Sequence, residues 1–135
     1  MGTKKKMMYV SRNAPHGSIY AHEGLEAVLM AAAFEQHVCM AFIGDGVFQL
    51  MKQQDTSEIE SKNFSVTFNA LGDYDVTHLY VEEESLQERG LDLNDLMPIT
   101  WADESQNWVE KPSVAAVSRQ AMAHLMAEQD LMFNF

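Results

Sequence analysis

Short apolar segments alternate along the chain with segments whose apolar residues recur at helical spacing. An apolar run of roughly four to eight residues between turn residues is typical of a buried strand. The pattern predicts five strands, of which the fourth is the weakest because Pro98 cannot donate a backbone hydrogen bond. The strands are predicted at residues 7–10, 37–44, 76–81, 97–101 and 131–135.

The segments between these strands predict helices. The first is expected to begin after a cap at Ser18 and to run to about Gln36, with Leu25 and Val28 on its buried side. Short helices are predicted to begin at Asp45 and to cover residues 85–90. The remaining two are a helix through Phe64, Phe68 and Leu71 that ends at Gly72, and a last helix capped by Ser113 with Val114, Val117, Ala121 and Leu125 on one stripe.

Strands that are separated by helices predict an α/β fold with a mostly parallel sheet and helices on both of its faces. The crossover connections are expected to be right-handed. The sequence has no repeat, low-complexity tract or linker, so we expect residues 1–135 to form one domain.

The charge balance narrows the possible functions. The 135 residues carry a formal net charge of -11, whereas proteins bind nucleic acid through Lys and Arg contacts to phosphate. We therefore expect no direct nucleic-acid partner. The single cysteine, Cys39, cannot form an internal disulfide, and no apolar run is long enough to span a membrane. These features predict a cytoplasmic protein without a membrane partner.

Cys39 is the candidate for thiol chemistry. A reactive cysteine needs exposure and an environment that lowers its pKa. Cys39 lies inside the apolar segment "VCMAF", where burial would raise the pKa of the thiol and limit access to it. We therefore expect Cys39 to be an inert part of the core, as free cysteines often are.

Two loops that follow predicted strands contain polar candidates. His16, in "NAPHGS", could act as an acid or base or bind an anion, but the loop lacks the glycine-rich and lysine motifs of phosphate sites. An ordinary turn with a partly exposed histidine is the expected alternative. Asp45, in "GDG", could be a ligand or a base. Such an aspartate more often caps the next helix, here by accepting from the amides of Val47 and Phe48.

Neither the apolar residues after "GDG" nor the histidines show a definite functional role. Phe48, together with Leu50 and Met51, could form a patch that faces a partner, although core packing explains these residues equally well. The five histidines show no zinc-site spacing. We therefore predict no metal and no other cofactor.

Three glutamates, Glu82 to Glu84, follow the third predicted strand. The carboxyl ends of parallel strands are where ligands bind in open α/β sheets, so these side chains could supply a general base or a cation site. The simpler interpretation is a helix start, because its dipole stabilises nearby anions by ~0.3–1 kcal/mol each. The residues alone leave both interpretations open.

Several motifs together resemble the DsrE/DsrF/DsrH family of sulfur-relay proteins, which includes the Tus proteins. The similarity is greatest to the DsrF and TusC branch and covers nearly the whole chain. The motifs are, in chain order, "APHG", "EGLEAVL", "IGDGVFQL", "ALGDYDV", "SLQERGLD" and an aromatic strand at the end.

The resemblance implies a three-layer α/β/α fold with a five-stranded parallel sheet. It also implies a heterohexamer with two paralogous partners, DsrE-like and DsrH-like, in two copies of each subunit. A sulfur-carrier protein is a further candidate partner. Such assemblies pass sulfane sulfur as a cysteine persulfide, in dissimilatory sulfur oxidation for the DsrF branch and in tRNA 2-thiouridine formation for the TusC branch.

The resemblance also places Glu82 at or next to the position of the cysteine that carries sulfur in active members of the family, when the match is made through "SLQERG". A carboxylate cannot become a persulfide, and it would raise the pKa of a neighbouring thiol. Cys39 does not match that position. We therefore expect a non-catalytic subunit of a sulfur-relay complex, with Glu82, Asp45, Phe48 and His16 as candidate binding or interface residues.

Three alternatives remain at this point. The first is a TusC-like subunit for tRNA thiolation, and the second is a persulfide-carrying sulfurtransferase that uses Cys39. The third is a small module that binds anions or nucleotides through "SRNAPHGS" and "GDG".

Overall fold

The computed structural model describes residues 5–12, 20–34, 36–51, 68 and 70–135. Seven strands are present in these ranges: β1 (Lys6–Ser11), β2 (His37–Phe42), β3 (Leu79–Glu82), β4 (Thr100–Asp103), β5 (Val109–Pro112), β6 (Val114–Val117) and β7 (Leu131–Asn134). The α-helices are α1 (Tyr20–Ala33), α2 (Glu83–Glu88) and α3 (Arg119–Ala127). Four segments form 3-10 helices: Gly44–Leu50, Leu71–Tyr74, Leu93–Asp95 and Glu104–Gln106.

Five of the strands form one sheet in the order β6-β3-β2-β1-β7. Every neighbouring pair in it is parallel. The predicted α/β fold with a five-stranded parallel sheet is therefore confirmed. Parallel strands need long crossovers, and α1 supplies the described part of the crossover between β1 and β2.

The two faces of the sheet carry separate cores, because alternate side chains of a strand point to opposite faces. In β2, Met40 and Phe42 pack on the face that is covered by α1, together with Val28 of that helix. Ala41 packs on the other face with Met122 of α3. Helices on both faces give the three-layer arrangement that the family resemblance implied.

The prediction that Ser113 caps the last helix is wrong. Residues 114–117 form β6, which pairs in parallel with β3, and Val114 lies opposite Leu79. Ser118 is the actual cap, since its Oγ accepts a hydrogen bond from the Ala121 amide at 3.1 Å. The apolar residues of "VAAV" fit a helical stripe by spacing, but their pairing with a buried strand decides their conformation.

The predicted fourth strand does not join the main sheet. Residues 100–103 form β4, which pairs antiparallel with β5 in a separate two-stranded hairpin. The segment that supplies β5 lies between the predicted fourth strand and the predicted last helix, where no strand was expected. The turn between the two strands contains Asn107 and Trp108, with φ values of 59° and 62°.

Two helix ends also differ from their predictions. Helix α1 ends at Ala33, three residues before Gln36, while Ser18 and Phe64 lie outside the described residues. Gly72 lies within a 3-10 helix and does not end it, because the left-handed terminal residue is Asp75, with φ of 63°. Gly72 serves close packing instead: a Cβ atom there would lie 2.9 Å from the Cβ of Trp101.

Candidate functional site

The carboxyl ends of the sheet strands meet at one edge and are joined there by backbone hydrogen bonds. The Ile43 amide after β2 donates to the carbonyl oxygen of Ser11 at 3.1 Å. The Arg12 amide after β1 donates to the carbonyl oxygen of Phe135 at 2.7 Å. Glu82 ends β3 at the same edge, and β6 ends beside it, since Val117 lies opposite Glu82.

Glu82 is a buried carboxylate at this edge, with only 7% of its surface exposed. Its Oε1 atom accepts a hydrogen bond from Oγ of Ser85 at 2.6 Å and another from Nη2 of Arg119 at 3.0 Å. The hydroxyl oxygen of Ser85 in turn accepts from the Gly44 amide at 2.9 Å. One carboxylate thus connects β3 to the beginning of α3 and, through Ser85, to the turn after β2.

These partners keep Glu82 ionised. Burial alone would raise the pKa of the carboxyl group, but the hydrogen bonds from Arg119 and Ser85 and the charges of Arg119 and Arg12 together lower it below its usual value. A carboxylate with a lowered pKa is a weak base, and its Oε1 atom already accepts two donors. The geometry does not favour Glu82 as a general base.

Two further glutamates bind the same arginine. The Arg119 amide donates to Oε1 and Oε2 of Glu84 at 2.8 and 3.1 Å, and Nη2 of its side chain lies 3.2 Å from Oε1 of Glu88. Hydrogen bonds to Glu82 and Glu88 raise the pKa of Arg119 above its ordinary value. Glu83 and Glu84 lie in the first turn of α2, as the helix-start interpretation requires. Glu82 and Glu84 have the additional role of holding the beginning of α3.

The "GDG" turn lies against this network because its glycines allow a close approach. Gly44 has φ of 54°, a conformation that favours glycine. A Cβ atom on Gly46 would lie 1.9 Å from the carbonyl oxygen of Ser11. The 3-10 helix after β2 can therefore cross directly over the end of β1 only with glycine at position 46.

Asp45 does not cap the helix that follows it, so the capping prediction is wrong. The residue at the cap position is Ile43, and no side chain makes a cap hydrogen bond there. Asp45 accepts instead from Nε and Nη2 of Arg89, at 3.1 and 3.0 Å. An arginine that is 44 residues away in sequence competes better for this exposed carboxylate than the local amides do.

The apolar residues beside the turn separate into two classes. Leu50 is fully buried in the core. Phe48 is partly exposed, and the guanidinium carbon of Arg89 lies 6.0 Å from the centroid of its ring. The exposed part of Phe48 therefore lies next to the Asp45–Arg89 ion pair.

Cys39 is partly buried and lies at the other end of the sheet. It lines an open groove of about 650 Å³ whose other walls include Lys6, His78, Tyr80 and Glu128. Burial raises the pKa of the thiol to about 11, against a smaller lowering effect of the Lys6 charge. Fewer than one thiol in a thousand is ionised at neutral pH at such a value, by the tenfold change per pKa unit. The groove gives access, but burial of the thiol opposes thiolate formation.

His16 and the "SRNAPHGS" loop lie mostly outside the described residues, so their predicted roles stay predictions. Within the described part of the chain, no group of three or more His, Cys, Asp or Glu side chains is arranged to hold a metal ion. None of the helices in that part has the length and hydropathy needed to cross a membrane.

Comparison with known proteins decides the family. The model of the DsrE/DsrF-like family matches residues 5–135. The chain belongs to the DsrE/DsrF-like family. It is 46% identical over 131 residues to the intracellular sulfur oxidation protein DsrF of Allochromatium vinosum, covering 97% of this chain and 96% of that protein. It is 40% identical over 92 residues to a TusC homolog of Vibrio vulnificus, covering 68% of this chain and 78% of the homolog.

A solved structure supports the fold of this DsrE/DsrF-like chain. The YchN protein of E. coli superposes with a TM-score of 0.68 over 97% of this chain and 99% of its own, at 15% sequence identity. The resemblance to the DsrF and TusC branch, read from the motifs, is confirmed by the sequence relatives.

Sequence reasoning found Glu82 but missed the two residues that define its environment. Arg119 lies 37 positions further along the chain, and no local pattern connects two residues so far apart. Ser85 stands three positions after Glu82, a spacing that places both on neighbouring turns at the beginning of a helix. That spacing was the available signal for the Glu82–Ser85 hydrogen bond.

Proposed function

We propose that this DsrE/DsrF-like chain is a non-catalytic subunit of a sulfur-relay complex that acts in dissimilatory sulfur oxidation. One observation carries the proposal: a buried, ionised Glu82, whose Oε1 atom accepts from Arg119 and Ser85, stands at or next to the position where the family resemblance puts the sulfur-carrying cysteine. The 46% identity to a DsrF protein supports the oxidation context.

The chemistry of sulfur transfer explains why this site would not carry sulfur. Sulfane sulfur moves when a thiolate attacks a sulfur atom bound to another sulfur, and a carboxylate cannot take over the sulfur atom as a persulfide. Glu82 instead neutralises Arg119 and holds the strand end in place. Cys39 is a poor substitute, because its pKa is raised to about 11 and the thiolate is the reactive form.

In this proposal the chain positions two paralogous, sulfur-carrying subunits in a cytoplasmic hexamer with two copies of each subunit. Exposed apolar side chains support burial by partners, since monomers rarely leave large apolar surfaces open. Met30 and Phe34, four residues apart at the end of α1, are 66% and 72% exposed. Leu131, Met132 and Phe133 of the edge strand β7 are also exposed, at 38%, 44% and 38%.

The test combines assembly with sulfur loading. The chain is co-expressed with the reading frames that flank its gene, and the purified material is measured by native mass spectrometry. We expect a complex with two other subunit types. After treatment with polysulfide, a gain of about 32 Da, the mass of one sulfur atom, is expected on those subunits and not on this chain. A stable monomer, or a sulfur adduct on Cys39 that is required for transfer, would overturn the proposal.

The TusC-like alternative is favoured by one observation, the 40% identity to a TusC homolog over 92 residues. It is tested by expressing the chain in a bacterial strain that lacks its own TusC and by measuring 2-thiouridine in bulk tRNA. Restored 2-thiouridine would favour tRNA thiolation. No restoration, in cells where the chain assembles with the resident partners, would favour sulfur oxidation.

A further inference from the structure

The β4–β5 hairpin carries an exposed tryptophan at its turn. Trp108 is 64% exposed, and its neighbour Val109 is 52% exposed. The hairpin backbone is well held, because the Trp108 amide donates to the carbonyl oxygen of Asp103 at 2.9 Å. A large aromatic side chain is thus presented to solvent on a folded support.

Trp108 borders a groove of about 680 Å³ between the hairpin and the segment that precedes β3. Trp101 lines the groove beside Gly72, whose missing side chain allows the two segments to touch. Asp73, Asp75 and Glu104 line the same groove. Two tryptophans and four carboxylates, Asp103 included, therefore line one concave surface.

The charges of this groove are unbalanced. Asp103 is the lining carboxylate that is neutralised, by an ion pair with Nζ of Lys111. Asp73, Asp75 and Glu104 are exposed, and none of them pairs with a Lys or Arg of the described residues. The groove therefore presents negative charge beside an exposed aromatic ring.

We propose that the hairpin groove is a docking surface for an arginine-containing basic segment of a partner protein. A guanidinium group stacks on an indole face and also forms two parallel hydrogen bonds to a carboxylate. Lysine carries the same charge but lacks the planar fork and stacks less well. The exposed Trp108 and the three unpaired carboxylates match a guanidinium in both respects. Complementary charge also speeds the encounter with a basic partner.

This surface is distinct from the Glu82 network. Asp75 and Thr77 precede β3, whereas Glu82 ends it, so the groove and the network lie towards opposite ends of the same strand. Binding at the groove can therefore succeed or fail whether or not the chain takes part in a sulfur relay.

The experiment uses three capped hexapeptides as probes, (Gly-Arg)3, (Gly-Lys)3 and (Gly-Glu)3, titrated into the full chain. Binding is measured by calorimetry and by the two indole N–H signals of the protein, one from each tryptophan. We expect saturable binding of the arginine peptide, at least tenfold weaker binding of the lysine peptide and none of the glutamate peptide. Perturbation of the Trp108 signal is expected, and the affinity should fall as salt screens the charges.

Variants of the chain test whether the arginine peptide binds at this groove. Trp108→Gly suits the left-handed backbone at this position and should weaken the arginine peptide at least tenfold. The double change Asp73→Asn and Glu104→Gln should do the same at low salt. Glu83→Gln, which removes an exposed charge on α2, is the control and should change the affinity less than twofold.

Three results would overturn the proposal. One is the absence of saturable binding. Another is arginine and lysine peptides that bind equally and are unaffected by Trp108→Gly, which indicates general attraction to an acidic protein. The third is protection of Trp108 from hydroxyl-radical oxidation in the complex purified with its sister subunits, which would make the hairpin a subunit interface.

Discussion

Oε1 of Glu82 lies 3.0 Å from Nη2 of Arg119 and joins the end of β3 to the first residue of α3. The same oxygen accepts the Ser85 hydroxyl, so its hydrogen bonds hold three segments of the carboxyl edge together. In an open α/β sheet this edge is where a ligand or a reactive group is expected. Here an internal ion pair occupies it.

The Glu82 side chain should contribute measurably to stability. In Glu82→Gln, the uncharged amide loses the charge-assisted part of its hydrogen bonds, and we expect the free energy of unfolding to fall by about 1–2 kcal/mol. Urea unfolding at pH 7 measures the difference. Glu83→Gln, an exposed neighbour on α2, is the matched control and should change the stability by less than about 0.5 kcal/mol.

The pH dependence of the stability difference between the wild type and Glu82→Gln is a second test. The pKa of Glu82 is lower in the folded chain than its ordinary value of 4.5, so folding favours the ionised form. Its contribution is therefore fully present above that ordinary value and is lost as the pH falls through the folded pKa. The stability difference between the wild type and Glu82→Gln should be constant from pH 8 to 6 and should shrink below pH ~4.5. A difference that grows on acidification would contradict this assignment.

Cys39 should react slowly with thiol reagents at neutral pH. Burial raises the pKa of its thiol to about 11, so the alkylation rate with iodoacetamide should rise about tenfold per pH unit between pH 7 and 9 and level off only near 11. Mass spectrometry of timed samples measures the rate, and free cysteine under the same conditions is the control. A plateau below pH 8 would show an activated thiol and would favour the sulfurtransferase alternative.

Gly46 should tolerate substitution much less well than Gly90. A Cβ atom at position 46 would lie 1.9 Å from the carbonyl oxygen of Ser11, so Gly46→Ala must push β1 and the turn after β2 apart. We expect a loss of about 3 kcal/mol in the free energy of unfolding, at the upper end of the usual range for an overpacked site. Gly90→Ala meets no atom within 4 Å but strains a backbone with φ of 68°, and we expect a loss of about 1 kcal/mol. Equal losses would argue against the close approach.

A substitution at the exposed end of α1 tests the proposal that the chain assembles with partner subunits. Phe34 is 72% exposed, so Phe34→Lys should change the stability of the isolated chain by less than about 0.5 kcal/mol. If partners bury this residue, the charge should weaken the co-purified complex strongly, as native mass spectrometry would measure. Gln87→Lys, at an exposed position on α2, provides the control. An intact complex with Phe34→Lys would remove the end of α1 from the proposed interface.

Three strands of the main sheet were more predictable than the segment between β3 and α3. The strands β1, β2 and β7 were found because each is a short apolar run between polar residues. The segment 97–117 was harder to predict, because Pro98 and the polar residues after it do not show which strand each piece pairs with. Val114 and Val117 stand three residues apart, and that spacing fits a helix as well as it fits two residues on opposite faces of a strand.

The sequence by itself determined the alternation of strands and helices and the family, and through the family resemblance it predicts a glutamate at or next to the sulfur-carrying position. These are properties of local pattern and of residue identity. Only the tertiary structure decided what Glu82 and Asp45 do, because their partners Arg119 and Arg89 are 37 and 44 residues away. Contacts at such separations arise when parallel strands bring their carboxyl ends to one edge, and local periodicity carries no information about them.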